Sequence, residues 1–164
     1  MVKVKICGIT SLLDAEKSLE LGADMLGFNF YAPSPRAITA EKAHEIILRL
    51  PRESFNVALF VNAARENVTQ AIALGELADG RQAYGALQLH GEERADYCRG
   101  WNLQVIKAFR LKDKAALAAL ADFSADFYLL DSWSAGYGGS GTVFPWEWLD
   151  GFDASKLILS GGLE

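Results

Sequence analysis

The chain has 164 residues, of which 51% are hydrophobic and 23% charged, with a formal net charge of −5. That length suffices for one well-buried domain, here read as residues 1–164, and is too short for two ordinary ones. Both charge signs are interspersed, so no basic footprint points to nucleic acid, and no apolar run reaches the roughly 18 residues that span a membrane.

Val2 to Cys7 alternates apolar Val2, Val4 and Ile6 with Lys3, Lys5 and Cys7, which predicts a strand. It begins at once, leaving no room for a signal peptide. Thr10 to Leu21 reads as a helix, with Ser11 and Asp14 spaced as a capping box and Gly22 as its stop. Met25 to Phe30 is a second strand, followed by a loop that Pro33 and Pro35 hold extended. Thr39 caps a helix through Leu50. The cycle then repeats: strand Asn56–Val61, helix Ala64–Leu74, a loop from Gly75 to Tyr84, and strand Ala86–Leu89. A short helix Glu92–Arg99 carries acids in its first turn, where the macrodipole favours them. Strand Leu103–Phe109, helix Leu111–Leu120, strand Phe127–Leu130, a short helix Pro145–Leu149 and strand Leu157–Leu159 complete the chain.

Strand–helix alternation predicts a parallel sheet with right-handed crossovers. No Gly-x-Gly-x-x-Gly follows the first strand, so a closed (βα)8 TIM barrel fits better than a dinucleotide-binding sheet. About seven strands are present and an eighth βα unit is absent, so the barrel is expected to be incomplete. Cys7 and Cys98 form no disulfide framework, which suits a reducing, cytoplasmic setting. His44 and His90 stand in no metal-ligand spacing.

In such barrels chemistry sits beyond the carboxyl ends of the strands. Asp131 closes the sixth strand and opens a glycine-rich loop running to Trp146; an acid there suits proton chemistry, and the other reading, favoured from this stretch alone, is a residue that begins a turn into a flexible surface loop. Cys7 closes the first strand on the face of Lys5, whose ammonium would favour a thiolate base or nucleophile. Cysteine is also among the most buried residue types, so packing is the other reading of Cys7 and the favoured one for Cys98. Arg36, in the proline loop, offers a fork suited to a carboxylate, or is a solvated loop arginine. His90 follows the fourth strand at the same rim or caps the next helix. Gly161 and Gly162 follow the seventh strand, where barrels often bind phosphate.

Seven segments, in order, resemble phosphoribosylanthranilate isomerase, a (βα)8-barrel family of tryptophan biosynthesis. They are Val-Lys-Ile-Cys-Gly-Ile-Thr, Gly-Phe-Asn-Phe-Tyr with Ser-Pro-Arg, Phe-Val-Asn, Leu-Gln-Leu-His-Gly-Glu-Glu, Val-Ile-Lys-Ala-Phe, Leu-Leu-Asp-Ser with Tyr-Gly-Gly-Ser-Gly, and Leu-Ser-Gly-Gly-Leu. The resemblance implies an Amadori rearrangement of a small phosphorylated substrate with no metal and no organic cofactor. It implies Asp131 as general acid, Cys7 as general base, Arg36 on the anthranilate carboxylate with His90 nearby, and the Gly161 and Gly162 N–H groups on phosphate. The family continues through a further helix, an eighth strand and a short helix, so this stretch alone is expected to self-associate through unpaired barrel edges and to lack turnover. The alternative is a non-catalytic barrel fragment or a ligand-binding or assembly module. A metal-dependent phosphate-binding epimerase is disfavoured, because its paired His and Asp ligands are missing.

Overall fold

The computed structural model describes residues 2–74, 80–132 and 145–161. Seven strands follow in sheet order as they follow in sequence: β1 (Lys5–Cys7), β2 (Met25–Asn29), β3 (Phe55–Phe60), β4 (Ala86–Leu89), β5 (Gln104–Leu111), β6 (Phe127–Ser132) and β7 (Leu157–Ser160). Helices α1 (Leu12–Glu20), α2 (Ala40–Ile47) and α3 (Arg65–Ala73) alternate with the first strands. β1–β2, β2–β3, β5–β6 and β6–β7 all pair in parallel. The expected α/β class with a parallel sheet is therefore found. No helix among the described residues is long and apolar enough to cross a membrane. The chain divides into two compact units, Met1–Gln88 and Leu89–Glu164.

In the first unit the caps are as read from the sequence. Ser11 Oγ accepts the Asp14 N–H at 3.1 Å and donates to the Asp14 carboxylate at 2.7 Å. Thr39 Oγ1 accepts the Lys42 N–H at 3.2 Å. Each cap satisfies an N–H that the first helical turn leaves orphaned. Leu26, Phe28, Ala43, Ile46, Val57 and Val68 are buried. Each large side chain among them contributes about 1.5–3 kcal/mol relative to exposure. β1 is shorter than expected. Val4, just before it, is held by Asp24 and by the first residue of β2: its N–H donates to Asp24 Oδ2 at 2.7 Å, and its carbonyl accepts the Asp24 N–H at 2.8 Å and the Met25 N–H at 3.2 Å. Val4, just before β1, and Ile6 within it remain 47% and 40% exposed.

The second unit repeats that strand-start device. Val105 N–H donates to Asp126 Oδ2 at 2.7 Å, and Val105 carbonyl accepts the Asp126 N–H at 3.0 Å. Its helices differ from expectation. Leu111 stays in β5, paired with Ser132, and the following helix is a 3₁₀ segment at Lys114–Asp122 capped by Asp113. Residues 92–99 form turns rather than a helix. Their i→i+3 bonds are Tyr97 N–H to Arg94 carbonyl and Arg99 N–H to Asp96 carbonyl, and the Glu93 carboxylate folds back onto the Gly91 N–H. The Pro145–Leu149 expectation is met by a 3₁₀ turn at Trp146–Leu149. Leu111, Leu117, Leu120 and Leu130 form the core between β5, β6 and the 3₁₀ segment.

Candidate active site

Cys7 is the last residue of β1 and is partly buried. Its register partner on β2 is Gly27. A Cβ there would lie 2.9 Å from Cys7 Sγ and 3.2 Å from Lys5 Nζ. Lys5 and Cys7 thus share a face, as strand alternation requires, and lean over the gap that Gly27 leaves. The chain then turns sharply. Gly8 has φ +89°, and the Gly8 and Ile9 N–H groups both donate to the Gly27 carbonyl at 2.9 Å.

That turn seats Arg36. Its Nη1 donates to the Cys7 carbonyl at 2.8 Å. A Cβ on Gly8 would stand 2.8 Å from Arg36 Cδ and 3.0 Å from its Nε, so only glycine lets the arginine cross here. The loop after β2 is held by more than its prolines. Asn29 Oδ1 accepts the Tyr31 N–H at 2.9 Å, the Asn29 carbonyl accepts the Ile38 N–H at 2.9 Å, and Ser34 Oγ accepts the Arg36 N–H at 3.2 Å. Cys7 and Arg36 are therefore neighbours at one strand end, and the exposed guanidinium keeps donors for a carboxylate.

In the second unit Asp131 lies near the end of β6, in register with Arg110 on β5 and Ser160 on β7. His90 Nε2 is 3.5 Å from Asp131 Oδ2, with side chains 18% and 13% exposed. That separation is a close contact at the long limit of a hydrogen bond. Asp131 Oδ1 is buried and has no hydrogen-bond partner among the described residues. A buried carboxyl oxygen left unpaired costs free energy, which suits a group that meets its partner on the substrate. Gly161 has φ +82°, and a Cβ there would fall on Ser132 Oγ and 2.6 Å from Asp131 Oδ1. Its glycine is needed to make room for the acid. Gly162 and the glycine-rich loop at 133–144 lie outside the described residues.

Sequence reasoning passed over Gly8 and Gly27, whose missing side chains admit Arg36 and Cys7. It also passed over Glu93 and Lys107, which form a buried ion pair beside His90. The available signal was a lysine inside the apolar run Val105 to Phe109.

The family profile described as N-(5'phosphoribosyl)anthranilate (PRA) isomerase matches residues 4–164. The chain belongs to this family. It is 45% identical over 166 residues to an N-(5'-phosphoribosyl)anthranilate isomerase of Trichlorobacter lovleyi, covering 99% of this chain and 78% of that one. The crystal structure of phosphoribosyl anthranilate isomerase from Thermotoga maritima superposes with a TM-score of 0.85 at 38% identity, covering 99% of this chain and 78% of that one. A family structure in complex with reduced 1-(o-carboxyphenylamino)-1-deoxyribulose 5-phosphate gives a TM-score of 0.79 at 37% identity, covering 99% of this chain and 77% of that one.

Proposed function

We propose that the protein carries out the reaction of its family: the Amadori rearrangement of N-(5'-phosphoribosyl)anthranilate to 1-(2-carboxyphenylamino)-1-deoxyribulose 5-phosphate, in tryptophan biosynthesis. The observation that carries the residue assignment is the placement of Cys7 and Asp131. Each stands at the carboxyl end of a parallel strand, and the acid has one buried oxygen with no partner among the described residues. Asp131 donates a proton to the furanose ring oxygen. The C1–O bond breaks as the anilino nitrogen lone pair forms C1=N. Cys7, as thiolate, then takes the proton from C2, and that electron pair forms C1=C2 while the C=N pair returns to nitrogen. The enol tautomerises to the ketone, with a proton delivered to C1. Positioned acid–base groups of this kind commonly contribute about 10²–10⁴-fold.

Arg36 holds the anthranilate carboxylate, His90 contacts the ligand beside Asp131, and the Gly161 and Gly162 N–H groups bind phosphate. Support for Arg36 is its seat beside Cys7; support for Gly161 is its left-handed turn after β7. The finer architecture belongs to the same reading: a single (βα)8 barrel domain of which these residues carry seven units. The strand order and the 78% coverage of the T. maritima chain support it. The reading places the enzyme in the cytoplasm. Incubation with substrate and identification of the product by NMR tests the function. Formation of the aminoketose supports it. Tight binding of the reduced product analogue without conversion would favour the non-catalytic module.

A further inference from the structure

Behind His90 lies an ion pair that the isomerisation steps do not use. Lys107 Nζ and Glu93 Oε2 are 2.9 Å apart, and both side chains are only 3% exposed. Lys107 leaves β5 on the face of Phe109 and Leu111, opposite the face that carries Arg110 in register with Asp131. Its ammonium lies 5.6 Å from the Phe109 ring centroid and 5.9 Å from that of Phe123. The pair therefore cannot reach a ligand at Asp131 directly.

What it touches is the backbone on either side of His90. Lys107 Nζ donates to the Gly91 carbonyl at 2.6 Å and approaches the Leu89 carbonyl at 3.4 Å. Both Glu93 carboxylate oxygens accept the Gly91 N–H, at 2.9 and 3.1 Å. Desolvating two charges costs several kcal/mol, and an apolar pair of similar volume is often as stable or more so. Stability alone is thus a poor account of this pair. Fixing a turn is a better one, because the bonds converge on residues 89–91.

We propose that Lys107 and Glu93 are positioning residues: their buried pair clamps Leu89 and Gly91 and so holds the His90 imidazole against the Asp131 carboxylate. The inference rests on the reading above, in which Asp131 is the acid and His90 serves the ligand beside it.

The test reads the contact without turnover. The chain has two histidines, His44 and His90, so histidine ring labelling yields two sets of NMR signals. In the parent, Asp131→Asn shifts the His90 ring signals and leaves those of His44 in place. Glu93→Gln removes that response while the fold persists. Should Glu93→Gln fail to fold, the paired variant Glu93→Leu with Lys107→Met leaves no buried charge unpaired and is expected to fold; it too loses the response. A folded variant of either kind that keeps the parental response overturns the proposal, whatever its Tm, because the pair is then only structural. A parent lacking the response overturns it as well. A parent that shows the response but no isomerisation, even with the C-terminal residues of a longer relative appended, sinks the isomerase reading and leaves the clamp supported.

Discussion

Gly8→Ala should separate the strain of a turn from the placement of a ligand-binding side chain. At φ +89° an alanine is in the left-handed region, which costs about 1–2 kcal/mol. Its Cβ would stand 2.8 Å from Arg36 Cδ, 3.0 Å from Nε and 3.1 Å from Arg36 Cβ. Cδ and Nε belong to a long exposed side chain that can swing aside, whereas the Cβ contact needs a shift of a few tenths of an ångström in the loop, so the overlap costs placement more than stability. The displaced guanidinium loses its bond to the Cys7 carbonyl, a further contribution of roughly 0.5–1.5 kcal/mol. The combined loss is about 1.5–3.5 kcal/mol, a Tm decrease of roughly 3–14 °C for a chain of this size. Calorimetric titration with the reduced product analogue reads the placement. Gly8→Ala and Arg36→Ala should each weaken binding roughly 10- to 100-fold, as a lost charge-assisted contact does. The double variant should lose little more, and Arg36→Lys should recover little, since an ammonium lacks the planar fork. An analogue without the ring carboxylate should bind all four proteins and the parent about equally. If Gly8→Ala bound the carboxylate ligand normally while Arg36→Ala did not, the seat over Gly8 would not be the working position.

Thiol labelling should modify Cys7 well before Cys98. Cys98 is buried, and that burial raises its thiol pKa, chiefly by desolvation, leaving less thiolate to react; equal rates under native conditions would contradict this. Tyr84→Phe should leave Tm unchanged or raise it, by up to about 1 kcal/mol of stability, because the buried Tyr84 hydroxyl has no hydrogen-bond partner among the described residues; a marked loss would mean that a partner holds it.

Periodicity located the strands because the sheet is parallel and mostly buried, which writes short apolar runs into the sequence. β4 was read residue for residue, and β2, β3 and β7 to within a residue at each end. The first two helices were legible because Ser11 and Thr39 are local caps. The second unit was not, because nonlocal bonds decide it. Glu92 and Glu93 looked like first-turn acids, yet Glu93 is drawn to Gly91 and Lys107 and Glu92 pairs with Arg110 at 2.9 Å. Strand ends brought Cys7, Asp131 and Gly161 to notice. The rooms made by Gly8 and Gly27 were invisible, because what a glycine admits is set by a residue far away in the chain.

The central claim is that Asp131 and Cys7 supply the acid and the base. The direct measurement is the turnover of N-(5'-phosphoribosyl)anthranilate, followed by loss of its fluorescence, for the parent, Asp131→Asn and Cys7→Ala. Each is assayed alone and with the C-terminal residues of a longer relative appended, since the chain spans 78% of the T. lovleyi enzyme. The prediction is conversion by the appended parent and a decrease of about 10²–10⁴-fold in each variant, with binding of the reduced product analogue retained. Near-parental turnover in either variant would contradict it and return that residue to a packing role.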